Sequence, residues 1–114
     1  MKFSLLIVFC GIGWCALAGA SEPVWMQDLK VLADDSMEGR EVGSKGSKRS
    51  REFLIQRYAD IGIEPLPALK DYGQPFSAVR KKKPLAGTNV VGQLTGTLDR
   101  YIVVSAHYDH IGRK

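Results

Sequence analysis

Three residues near the end of the sequence are of types that bind metals or transfer protons: His107, Asp109 and His110. Side chains alternate along an extended chain, so His107 and Asp109, two apart, are expected on the same side. One imidazole nitrogen can then bind a metal while the carboxylate accepts the proton of the other, which fixes the tautomer and raises ligand basicity. Zinc favours imidazole and carboxylate ligands of this kind. His110 is expected to face away from Asp109 and to shape the loop.

The segment before this triplet sets its position. Residues Tyr101–Ala106 are apolar on both faces and predict a central strand, covered by helices on both sides. We expect this strand to form a hairpin with a second one over Thr88–Leu94, and Phe76–Arg80 is a further short candidate. Ligand sites in open α/β sheets lie at the C-terminal ends of such strands. On spacing alone, a purely structural histidine remains the alternative.

Two helices are predicted upstream of the strands. Pro23 opens the first helix, and the second runs from about Ser47 to Ala59, with Ser44 or Ser47 as its cap. Between them, three glycines within residues 39–46 predict a loop with unusual backbone angles. Arg40, in this loop, is expected to pair with a carboxylate and to pin the N-terminal segment to the sheet.

The N-terminus has the form of a secretory signal peptide. Lys2 precedes an apolar stretch over residues 3–14, and the small residues 18–20 are followed by polar sequence. The apolar stretch is shorter than the ~20 residues of a membrane span. Cleavage after residue 20 would remove both cysteines and leave a secreted or periplasmic chain over residues 21–114. An uncleaved anchor and a lipoprotein attached at Cys15 are the alternatives, and the bulky Trp14 disfavours the second.

The charge pattern argues against nucleic acid as a partner. The 114 residues carry a net charge of +4, and the basic residues are scattered apart from the run Arg80–Lys83. Pro84 follows this run directly, and no aromatic side chains are interleaved for base stacking. A small basic binding module remains an alternative that rests on this run alone.

The chain ends at Lys114, a few residues after the predicted central strand. Such a strand needs neighbours on both edges, and two helices with three short strands do not supply them. We therefore expect residues 21–114 to be the N-terminal part of a larger domain, with a complete small α+β protein as the alternative.

Four segments follow one another along the chain: Leu32–Arg40 with Gly43–Gly46, Ile61–Pro65, Tyr72–Phe76 with Thr88–Gly92, and Tyr101–Gly112. In this order they resemble segments of the zinc aminopeptidases of peptidase family M28, and the resemblance covers nearly all of the chain after residue 20. The last segment is similar to the family's hydrophobic strand followed by A-H-Y-D-H-x-G. The first is similar to its D-x-M-E-G-R stretch near the mature N-terminus.

The resemblance implies a three-layer α/β/α zinc-peptidase-like fold with a mixed sheet, present here up to the first metal-ligand strand. His107 then corresponds to a zinc ligand, and Asp109 to the active-site carboxylate that orients it. The family's complete site holds two Zn²⁺ ions that activate a water against the N-terminal bond of a peptide or protein substrate. The other ligands and the general-base glutamate match no position up to Lys114, so the chain alone is expected to be inactive. A non-catalytic receptor or scaffold of the same fold is the alternative.

Overall fold

The computed structural model describes residues 21–113, so the predicted signal peptide and both cysteines lie outside the described residues. The elements, in chain order, are helix α1 (Val24–Ala33), a 3-10 turn (Asp35–Arg40), helix α2 (Lys45–Asp60) and the short strand β1 (Glu64–Pro65), then strands β2 (Gly73–Arg80), β3 (Lys83–Val90) and β4 (Gly92–Gln93). Residues 21–113 thus form a mixed helix–strand unit.

Both predicted helices are confirmed. Pro23 occupies the N-cap position of α1. Helix α2 begins two residues earlier than predicted, and Ser44 is its cap, since the Ser44 hydroxyl accepts a hydrogen bond from the Ser47 backbone N–H at 3.1 Å. The glycine-rich stretch between the helices has the unusual backbone angles that were expected, with φ of +65° at Gly39 and +81° at Gly43.

A small buried contact joins the 3-10 turn to α2. Ser50 is fully buried and its hydroxyl donates to the Gly46 carbonyl at 3.0 Å and to the Met37 sulfur at 3.4 Å. Met37 itself is 7 % exposed. Helix α1 is attached more loosely, because it has no buried residue. Its Asp28 carboxylate lies 2.9 Å from Arg57 Nε on α2 as an ion pair outside hydrogen-bond geometry.

The strands form two separate antiparallel sheets. Strands β2 and β3 pair along their whole length, from Gly73 opposite Val90 to Arg80 opposite Lys83. Strand β1 pairs with β4. The Tyr72 ring, just before β2, meets Tyr58 of α2 edge to face at 5.9 Å, and its hydroxyl donates to the Ile63 carbonyl at 2.7 Å. These contacts connect the end of α2 to the hairpin.

Two strand predictions are wrong for this chain. Residues Tyr101–Ala106 have no strand hydrogen bonds, and the side chains of Tyr101, Ile102 and Val104 are 91–94 % exposed instead of buried. The expected hairpin with Thr88–Leu94 does not form either, because β3 pairs with β2 across a two-residue turn. An apolar, β-branched sequence favours an extended backbone, but strand hydrogen bonds require a neighbouring strand. No described strand lies beside this segment.

Candidate metal-ligand site

The candidate site lies directly after the exposed segment Tyr101–Ala106, where the chain contacts the 3-10 turn and β3. The backbone N–H of His110 donates to the Arg40 carbonyl at 3.1 Å. Tyr108 is half-buried, and its hydroxyl donates to the Thr88 carbonyl of β3 at 2.5 Å. The residues on either side of Tyr108 are His107 and Asp109, so both candidate site residues extend from a backbone that is held against the body of the protein.

His107 and Asp109 lie side by side in the structure. His107 Nδ1 is 3.0 Å from the backbone carbonyl oxygen of Asp109 and 3.6 Å from its carboxylate oxygen Oδ1. The first distance is that of a hydrogen bond, and the second is an ion-pair distance when the imidazole is protonated. The spacing predicted that the Asp109 carboxylate would accept the ring hydrogen, whereas in the structure the Asp109 backbone carbonyl lies at hydrogen-bond distance and the carboxylate lies farther away.

This geometry selects one tautomer of the neutral imidazole. Two oxygens of Asp109 face His107 Nδ1: the backbone carbonyl and a carboxylate oxygen. A carbonyl and an ionised carboxylate both accept hydrogen bonds and donate none, so Nδ1 carries the hydrogen. The other ring nitrogen, Nε2, then holds a lone pair and is the nitrogen able to bind a metal. The His107 side chain is 83 % exposed and that of Asp109 is 46 % exposed, which leaves the pair accessible.

The donor chemistry of His107 fits one ligand of a zinc site, with the Asp109 backbone carbonyl hydrogen-bonded to its other ring nitrogen and the Asp109 carboxylate at 3.6 Å. A protein zinc site normally takes three or four side-chain ligands. Among residues 21–113, no three His, Cys, Asp or Glu side chains are grouped so that they could hold a metal ion. Within the described residues, His107 is thus a single candidate ligand that belongs to no such group.

Two further residues were singled out in the sequence, and one of them has different surroundings from those expected. Arg40 does not pair with a carboxylate, because its guanidinium donates to the backbone carbonyls of Tyr108 and Leu32. His110 borders a cleft with Arg40 and Arg113, and its backbone N–H donates to the Arg40 carbonyl. Tyr108 was missed, and its only sequence signal is a polar-tipped aromatic between two candidate site residues.

Fold and site together define a small mixed helix–strand unit that presents a histidine–aspartate pair at its surface. In the described part of the chain, no helix has both the length and the apolar character needed to cross a membrane. Comparisons with known protein families, with curated proteins and with solved structures found no significant match to the chain.

Proposed function

We propose that this chain is the N-terminal portion of an exported zinc-dependent aminopeptidase, with His107 as a zinc ligand and Asp109 as its orienting carboxylate. The observation that carries the proposal is the approach of His107 Nδ1 to the Asp109 backbone carbonyl at 3.0 Å and to the Asp109 carboxylate at 3.6 Å, which leaves Nε2 for a metal. The four ordered segments that resemble the M28 aminopeptidases support it independently. A histidine–aspartate pair occurs in proteins of many functions, so the proposal depends on the His107–Asp109 geometry and on the resemblance together.

The proposal extends to the fold of the parent protein. There, Tyr101–Ala106 would be a central strand of a mixed sheet in a three-layer α/β/α domain. The exposure of this segment supports the idea, as does that of Trp25 and Leu29 on α1, which are 63 % and 53 % exposed. An exposed run of consecutive apolar residues such as Tyr101–Val104 marks a place where other protein normally packs.

The part played by this chain is to hold and orient one ligand. When bound, zinc supplies polarisation of the scissile carbonyl and a nucleophile at neutral pH. The Asp109 backbone carbonyl accepts the hydrogen of Nδ1, and the carboxylate faces the same nitrogen at 3.6 Å, which leaves Nε2 for the metal. Additional ligands and a general base are required, and the chain alone is expected to release no amino acid from peptides.

The test uses the complete reading frame, obtained from the nucleotide sequence downstream of codon 114. The complete protein is expected to contain zinc and to release the N-terminal residue of a free peptide but not of an N-acetylated one. His107→Ala should remove the activity and lower the zinc content. Asp109→Asn removes the carboxylate charge beside the ring but leaves the backbone carbonyl contact of His107, and it should lower kcat/KM by about 10- to 100-fold.

His110→Ala is the matched control, since His110 makes its contact through the backbone, and it should keep most of the activity. Unchanged activity in the His107→Ala protein would remove the ligand role. A zinc-free protein that cleaves neither peptide would favour the receptor or scaffold alternative. A stop codon directly after Lys114 would contradict the proposal as a whole.

A further inference from the structure

The 3-10 turn ends in three consecutive residues with left-handed backbone angles. The φ values are +50° at Glu38, +65° at Gly39 and +51° at Arg40. Left-handed angles are disfavoured for residues with a Cβ, and runs of them are rarer than single cases. Such conformations persist where surrounding contacts impose them, and they concentrate near functional sites. The contacts made by this turn therefore indicate which part of the structure requires its backbone conformation.

The turn presents two successive carbonyls to one partner segment. The Arg40 carbonyl accepts from the His110 N–H at 3.1 Å, and the Gly39 carbonyl accepts from the Gly112 N–H at 3.0 Å. In an extended strand, successive residues point to opposite sides, so neighbouring carbonyls would not both face the same segment. The left-handed backbone turns both carbonyls toward residues 110–112.

The same approach explains two glycines. A Cβ on Gly39 would lie 2.6 Å from the backbone carbonyl carbon of Gly112, which is closer than such atoms come. A Cβ on Gly112, at φ +80°, would lie 2.8 Å from a carboxylate oxygen of Glu41. The turn and the segment fit closely only because neither residue has a side chain.

The Arg40 side chain completes the attachment. Its Nε donates to the Tyr108 carbonyl at 2.9 Å, and its Nη1 donates to the Leu32 carbonyl at the end of α1. Tyr108 is thus held at both ends, by Arg40 at its carbonyl and by β3 at its hydroxyl. Arg40 thus holds the peptides on both sides of Asp109, the first through the Tyr108 carbonyl and the second through the His110 N–H. The carbonyl of the second peptide is the one that faces His107 Nδ1.

We propose that Arg40 is a positioning residue for the His107–Asp109 pair, and that the left-handed turn Glu38–Arg40 is the cradle in which the segment 108–112 docks. The inference rests on the proposed function for the meaning of the pair as a ligand and its orienting carboxylate. Arg40 acts through the Tyr108 backbone and touches neither a metal nor a substrate. A lysine would not replace it, because one ammonium lacks the planar, spaced donors that reach two carbonyls together.

The test measures the segment directly in the ¹⁵N-labelled chain, without zinc and without an activity assay. Three variants are compared with the unchanged chain: Arg40→Gln, Arg40→Lys and Gly112→Ala. Each should speed the hydrogen exchange of the His110 and residue-112 amides by about tenfold or more. Each should also move the ¹⁵N shifts of the His107 ring from a single Nδ1–H tautomer toward a mixture. Arg80→Gln, at the distant hairpin tip, is the matched control and should change neither.

The outcomes separate positioning from general stability. If Arg40→Gln speeds exchange equally in α2 and in the hairpin, Arg40 is merely structural and the inference is overturned. Unchanged His107 ring shifts in both Arg40→Gln and Gly112→Ala would also overturn it. Gly112→Ala alters the docked segment and leaves the turn intact, so it tests the cradle even where an Arg40 variant folds poorly. Because no readout needs zinc, the inference can hold while the peptidase assay fails, and the reverse.

Discussion

At the scale of single residues, the start of the 3-10 turn depends on one carboxylate. Asp34 lies at the junction of α1 and the turn, and its Oδ1 accepts a hydrogen bond from the Ser36 backbone N–H at 2.9 Å. The Ser36 hydroxyl and this N–H together lower the pKa of Asp34 below its usual value, the hydroxyl more strongly. Hydrogen bonds to the ionised form have this effect because protonation would weaken them.

The sign of the pH dependence follows from that lowered pKa. The contribution of Asp34 to stability is present above its unfolded pKa of about 3.9 and is lost as the pH falls through the lower folded pKa. Ser36→Ala removes the hydroxyl but keeps the backbone donor, so the pKa of Asp34 should rise part of the way to its usual value. A carbon-detected NMR titration of the Asp34 carboxyl measures this. Ser77→Ala on β2 should leave the value as it is, and an unchanged pKa in Ser36→Ala would contradict the assignment.

At the scale of elements, the helices were predictable because their signals are local. The Ser44 cap lies three residues from its partner Ser47, and the glycines of the turn predict its positive φ angles by their residue type alone. The nearness of His107 to Asp109 was equally local, since the two are separated by one residue. What joins distant residues was not predictable. Nothing in the sequence indicates that Arg40 reaches the carbonyl of Tyr108, 68 residues away.

The strand pairing was mispredicted for the same reason. Apolar content favoured a partnership of residues 88–94 with Tyr101–Ala106, but turn length decides which strands pair. Residues Lys81 and Lys82 alone connect β2 and β3, with φ of +49° and +63°. Positive φ at both central residues is the type I′ geometry of two-residue hairpins. Asparagine and glycine usually mark this turn, so a pair of lysines gives no sequence signal for it.

Those two lysines predict a stabilising substitution. A left-handed residue with a Cβ costs roughly 1–2 kcal/mol, and asparagine followed by glycine suits this turn best. Lys81→Asn with Lys82→Gly should therefore raise the free energy of unfolding by about 1 kcal/mol, after the entropy that glycine adds to the unfolded chain. Chemical denaturation followed by circular dichroism measures it.

The matched control is Arg80→Gln with Lys83→Gln, which removes the same charge from the two flanking strand positions. If this control stabilises the protein equally, relief of charge repulsion explains the gain and the backbone argument fails. A lower free energy of unfolding in the asparagine–glycine variant would contradict the turn geometry.

At the scale of the whole molecule, the described residues bury little and expose much. Met37 is the only buried large apolar side chain within residues 21–113, whereas Tyr101–Val104 are 85–94 % exposed. A sequence specifies that such a segment is apolar and tends to extend. It does not specify which other strand or helix covers the segment, because that contact joins residues that are distant in the sequence. The fold class was thus predictable only as a mixture of helices and strands.

This exposed segment predicts the behaviour of the isolated chain. An unpaired, uncharged apolar stretch is a template for edge-to-edge association, so the chain should form larger species as its concentration rises and should bind the dye ANS. Ile102→Lys with Val104→Lys places two charges in the stretch and should lower both effects, as seen by light scattering after size-exclusion chromatography and by fluorescence. The midpoint of thermal unfolding should stay within a few degrees, since surface substitutions cost little.

Thr95→Lys with Thr97→Lys adds the same charge to exposed polar positions nearby and separates removal of apolar surface from a general effect of charge. Equal improvement in this control, or continued association of the Ile102→Lys, Val104→Lys chain, would show that another surface drives it.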